Sequence, residues 1–178
     1  LVDKLANLAT SLKVGHGSED GTELTPVISE EQLQKIENFS RSGQQAGASV
    51  AAGGNRVDRK GYYFEATVFD NVQPEMTIAQ EEIFGPVLSV LEYNDQDEAV
   101  DIANGTEFGL AAGVFTNDVN QATKMASQLN GGQIYVNSWF TGSVATPFGG
   151  YKQSGYSREK GQEAIKSYLQ LKNVGIQL

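Results

Sequence analysis

The sequence predicts an α/β fold built on parallel strands. Apolar segments 87–93, 110–116 and 133–137 alternate with two stretches of helical periodicity. The connections between them are short, as in compact domains. Strands separated by helices pair in parallel, through right-handed crossovers. At 178 residues the chain can bury a core as one domain.

The elements follow in order. Residues 1–13 read as a helix with Leu1, Leu5, Leu8 and Leu12 on one face, stopped by Gly15 and Gly17. Leu1 is not a start methionine and nothing caps the helix before it, so the chain is expected to be a cut piece of a longer protein. Residues 16–26 form a polar, turn-rich loop. The next helix starts at Ser29, which with Gln32 spells a capping box. Leu33, Ile36 and Phe39 or Ser40 trace its buried edge, and Gly43 is expected to end it in the left-handed conformation. A strand over 48–52 closes at Gly53 and Gly54, a charged turn covers 55–61, and 64–72 is strand-like.

The second half is more regular. Strand 87–93 leads to a helix over 95–103 with acidic residues in its first turn, where the helix dipole favours them, and Gly105 stops it. Strand 110–116 leads to a helix lined by Val119, Ala122, Met125, Ala126 and Leu129, ended by Asn130, Gly131 and Gly132 before strand 133–137. The long segment 138–155 leaves the carboxyl end of that strand, where such sheets collect ligands. It holds Trp139, Phe140 and Phe148, which either bind a ligand or pack the loop down. Residues 158–168 read as a helix, and 169–178 as a terminal strand that needs a partner for its edge.

Composition excludes several functions. A net charge of −9 with no Lys/Arg stripe argues against nucleic acid. No apolar run is long enough for a membrane helix. No basic, apolar-cored segment opens the chain, and a cytoplasmic location is expected. With no cysteine there is no disulfide, thiolate zinc site or thiol nucleophile. His16 is the single histidine and has no ligand cluster around it, so no metal is expected. Glu81 and Glu82 are adjacent and make a poor acid/base pair, since neighbours in a strand face opposite ways. Neither a G-x-G-x-x-G nor a Walker A motif is present.

The blocks QEEIFGPVLSV, FGLAAGVFT, GGQIYVN, PFGGYKQSG and SREKG, with TPVISEEQLQKI before them, resemble the C-terminal part of the NAD(P)-dependent aldehyde dehydrogenase superfamily end to end. The resemblance implies a Rossmann-like open parallel sheet with helices on both faces. It makes 1–168 part of a catalytic domain and 169–178 a strand of the oligomerisation sheet. It implies that Glu82 takes the nicotinamide-ribose hydroxyls, that Phe84 packs near the nicotinamide, and that Gln32 and Lys35 approach the cofactor from a helix. Asn137, Trp139, Phe140 and Phe148 match positions lining the aldehyde tunnel, widened where Gly142 replaces an aromatic of some relatives. The family's nucleophilic cysteine, oxyanion asparagine and general-base glutamate lie upstream of the matched region, so no catalytic residue is assigned here. The expectation is a fragment, inactive alone and binding no cofactor, whose parent uses NAD or NADP to oxidise an aldehyde. Its expected partners are the upstream part of the same protein and further copies of itself. The alternative is a stand-alone, non-catalytic interaction module. An enzyme with a new mechanism built on Glu81, Glu82 or His16 ranks last.

Overall fold

In the computed structural model, which describes all 178 residues, the chain opens with helix α1 (Val2–Ser11). The helix stops short of Lys13 because Leu12 turns extended and Lys13 joins the next loop. There the Lys13 carbonyl accepts from Glu23 N–H at 2.9 Å. Helix α2 (Glu30–Gln45) starts where expected, with Ser29 Oγ accepting from Gln32 N–H at 3.2 Å. Gly43 does not end it. Gly43 is buried inside the helix, and a Cβ there would lie 2.7 Å from Ile78 Cδ1 on helix α3 (Thr77–Gln80). The missing side chain admits α3, and the chain turns away later, at Gly47 with φ +104°.

Strands β1 (Ser49–Ala52), β2 (Thr67–Asp70) and β3 (Val87–Ser89) form one sheet in that order, β1 antiparallel and β3 parallel to β2. Asn71, at φ +55°, ends β2 earlier than the alternation of 64–72 implies. Leu33 and Ile36 of α2 meet Phe64, Phe69, Val72, Met76, Ile78 and Ile83 in one apolar core.

Residues Leu1–Tyr93 form one compact unit and Asn94–Leu178 a second. The second begins with helix α4 (Gln96–Asn104), capped by Asp95 accepting from Glu98 N–H at 2.9 Å. Strand β4 (Phe108–Gly109) and strand β5 (Ala111–Val114) precede helix α5 (Val119–Gln128), which Asp118 caps. Strand β6 (Gln133–Val136) then pairs in parallel with β5, from Ala111 opposite Gln133 to Val114 opposite Val136. This β-α-β unit matches expectation. Strand β7 (Tyr151–Lys152) pairs antiparallel with β4, and helix α6 spans Glu163–Lys166.

The architecture is α/β with three small sheets rather than one continuous parallel sheet. Of the strand expected over 87–93 only Val87–Ser89 forms, and β3 ladders with β2 alone. Periodicity locates a strand without naming its neighbour. The helix expected over 158–168 shrinks to four residues. Phe148 and Glu159 exchange both backbone hydrogen bonds at 2.7 Å, which holds this stretch in a bridge, and Lys160 and Gly161 follow at positive φ. Residues 169–178 form no ladder and lie exposed. No helix is long and apolar enough to cross a membrane.

Candidate functional site

Two loops carry the residues of interest, one in each unit. The first, 81–86, follows α3 and enters β3. Its middle is fastened on every side. Ile83 is buried in the core. Gly85 lies so close to α2 that a Cβ would stand 2.5 Å from Ile36 Cδ1 and 2.6 Å from Cγ1. Pro86 O accepts from Thr67 N–H at 2.8 Å, which starts the β2–β3 ladder. Between the fastened residues Phe84 adopts φ +51° and leaves its ring 70 % exposed. Both Glu81 and Glu82 are exposed, and Glu81 N–H closes α3 on Thr77 O at 3.0 Å.

Gln32 and Lys35 part company on α2. Gln32 Nε2 donates to Ile83 O at 2.8 Å and to Phe84 O at 3.0 Å. The capping box is therefore half formed, since Ser29 receives the Gln32 N–H while the Gln32 side chain turns to the loop. Lys35 is exposed, with Nζ 5.6 Å from the centre of the Phe39 ring. It borders an open groove of about 470 Å³ along α2, shared with Glu31, Asn38, Phe39 and Thr77. Hydrogen bonding to its own backbone N–H, then to Ser29, holds the Glu31 carboxyl below the usual carboxylate range.

The second loop leaves β6 at Asn137, which adopts φ +49°. Asn137 pins the exit: Oδ1 accepts from Thr116 N–H at 2.9 Å and Nδ2 donates to Thr116 O at 2.8 Å. Its amide is thus satisfied by backbone. Beyond it Trp139, Phe140 and Phe148 do come together. Trp139 and Phe140 meet edge-to-face at 5.6 Å, and Phe140 lies 6.4 Å from Phe148. Both leading rings stay open, Trp139 55 % and Phe140 62 % exposed. Tyr135 anchors the cluster from β6, 5.6 Å from Trp139 and 5.9 Å from Phe140. Sequence reasoning passed over Tyr135, although an aromatic four residues before Trp139 on the same strand exit was the available signal. Lys160 Nζ stands 5.3 Å from the Phe148 ring, placing a cation at the rim.

No group of His, Cys, Asp and Glu could hold a metal ion, and His16 Nδ1 instead meets Ser18 Oγ at 2.7 Å in its loop.

Chemically, the first loop offers an exposed carboxylate beside an exposed ring, and the second an aromatic surface for an apolar ligand. Comparison with known proteins gives each loop its context. Residues 1–174 match the model of the aldehyde dehydrogenase family. The Bacillus subtilis (strain 168) protein DhaS is 43 % identical over 178 residues, all of this chain and 36 % of its own length. The mitochondrial benzaldehyde dehydrogenase of Antirrhinum majus is 43 % identical over 173 residues, 97 % of this chain and 32 % of its own. Among solved structures, an NAD+ complex of an aldehyde dehydrogenase from Bacillus cereus superposes with a TM-score of 0.91 at 42 % identity. It covers 94 % of this chain and 34 % of that one. The chain belongs to the aldehyde dehydrogenase family. It spans about a third of the length of the curated relatives it matches.

Proposed function

We propose that this chain is the C-terminal third of an NAD(P)-dependent aldehyde dehydrogenase that oxidises an aldehyde to a carboxylic acid. The observation that carries the reading is the 81–86 loop, fastened by Gln32, Ile36 and Thr67 while Glu82 and Phe84 stay exposed. An exposed carboxylate suits two neighbouring ribose hydroxyls, because it accepts at both oxygens. Phe84 offers a face for a flat heterocycle, and Lys35 a positive charge beside the same helix. When bound, the nicotinamide supplies the hydride acceptor. Trp139, Phe140 and Phe148 would receive the organic part of the aldehyde, with Asn137 holding their loop in place. Residues 169–178 would pair with another copy in an oligomer, and the whole enzyme would be cytoplasmic.

The 178 residues contain no cysteine, and the isolated chain is expected to be inactive and to hold no cofactor. Purified chain should reduce neither NAD+ nor NADP+ with a panel of aliphatic and aromatic aldehydes. A version extended upstream through a cysteine-bearing segment should do so, and Glu82→Gln should then raise its KM for the cofactor more than it lowers kcat. Aldehyde-dependent reduction by the isolated chain, or no activity in the extended one, would overturn the proposal.

A further inference from the structure

We propose that Gln32 is a positioning residue for the 81–86 loop: its side-chain amide holds Phe84 in the left-handed conformation that aims the ring outward. Both Nε2 hydrogens point at consecutive carbonyls, Ile83 O at 2.8 Å and Phe84 O at 3.0 Å, across more than fifty residues of sequence. A bulky residue at φ +51° is disfavoured by clash between its Cβ and the following carbonyl, so something must hold it there. The neighbours cannot do this alone. Ile83 is fixed by burial and Gly85 by Ile36, but neither fixes the carbonyl directions on either side of Phe84. Gln32 does, and it lies one helical turn from Ile36 on the same face of α2. The helix thus grips the loop at two points, apolar and polar. Lys35, on the neighbouring face, is exposed.

The function assigned to Gln32 rests on the reading that the loop receives a cofactor, but its test does not involve one. Gln32→Glu separates two roles by sign. Glutamate is a favoured capping-box partner of Ser29, so a helix-start role leaves stability equal or higher. A donor role loses both hydrogen bonds and sets a carboxylate against two carbonyl oxygens. In the 178-residue chain, Gln32→Glu should lower the thermal midpoint by roughly 3–8 °C. It should also abolish the positive-φ signature of Phe84 in its one-bond Cα–Hα coupling and Cα chemical shift. Gln32→Lys, which keeps a donor of similar reach, should retain that signature. In a Phe84→Gly background, where positive φ needs no help, the Gln32→Glu loss should fall by at least half. The proposal is overturned if Gln32→Glu keeps the midpoint or the signature, if it costs as much beside Gly as beside Phe, or if Gln32→Lys loses the signature as fully as Gln32→Glu. Failure of the extended enzyme to bind NAD+ would sink the cofactor reading and leave these outcomes standing.

Discussion

Gly132 is where the aromatic loop tolerates least change. It lies in the connection between α5 and β6, immediately before Gln133, and Gly149 and Gly150 of the second loop lie directly on it. A Cβ added at Gly132 would overlap the Gly149 carbonyl oxygen and stand 2.8 Å from its carbon. Both are backbone atoms, so no rotamer change relieves the clash. One segment must retreat by roughly 1 Å. That movement strains two hydrogen bonds, Gly132 N–H to Gly109 O at 3.0 Å and Gln133 Nε2 to Pro147 O at 2.9 Å. Overpacking costs about 1–3 kcal/mol, and weakening two neutral hydrogen bonds adds about 1–2 kcal/mol. Gly132→Ala should therefore lose roughly 2–5 kcal/mol, a fall of about 5–15 °C in thermal midpoint for a chain of this length. The assay has a built-in local probe, because Trp139 is the single tryptophan and sits within the ring cluster that the turn supports. Its emission should move to longer wavelength as those contacts loosen. Gly175→Ala is the control, since nothing lies within 4 Å of the added carbon and its φ is unexceptional. If Gly132→Ala matches Gly175→Ala in midpoint and emission, the backbone-on-backbone packing is not what holds this loop.

Two further outcomes follow from charged groups. Lys152 Nζ donates to Asn104 O at 2.7 Å and Thr106 O at 2.9 Å, covering the carbonyl end of α4. Lys152→Met should cost about 0.5–2 kcal/mol in urea unfolding, and an unchanged midpoint refutes the cap. The hydrogen bond from Arg56, at 2.6 Å, holds the Glu30 carboxyl below its ordinary value of 4.5. A depressed folded value means the pair stabilises fully above the unfolded value and loses that contribution as pH falls through the folded one. Both groups are solvent-exposed, so the effect is small and salt-sensitive. Arg56→Met should flatten the acid limb of the unfolding midpoint measured at low salt below about pH 4.5; parallel limbs in the two proteins refute it.

What the sequence made legible was local. Helices α2, α4 and α5 were readable because their signals lie within a few residues: the Ser29 cap of α2, the acidic first turn of α4, and the short apolar period of α5. The parallel pairing of β5 and β6 was readable because one helix joins them, but the partner of β3 was not, because β2 comes from elsewhere in the chain. Gly43 shows the same limit in one residue. A glycine near a helix end reads equally as a stop or as a gap for a neighbour, and only the position of Ile78 decides. The shortened α6 has a related cause: its helical pattern is overridden by the bridge between Phe148 and Glu159, a pairing that helical periodicity does not report. In the site, the exposed rings of the second loop were found from composition and loop length. Tyr135 was missed because, inside a strand, it looks like any core aromatic.

The PFGGYKQSG block, one of those that carry the family resemblance, turns out to be mainly a fastener. In 147–155, Gly149 and Gly150 let backbone press on backbone, and Tyr151 and Lys152 pair with β4. Gln153 N–H reaches Glu107 O at 3.0 Å, and Ser154 Oγ accepts from Gly109 N–H at 3.1 Å. Arg158 Nη1 returns to Gly150 O at 2.9 Å. Phe148 is the one residue of this stretch that joins the ring cluster. A turn built from so many backbone contacts leaves little freedom in residue type, because each position answers to its own close approach or hydrogen bond. The exposed Trp139 and Phe140 answer to fewer such demands. On the proposed reading, differences in aldehyde preference between relatives belong at positions 139–142, where side chains can change without moving the frame, and not in the motif that marks the family.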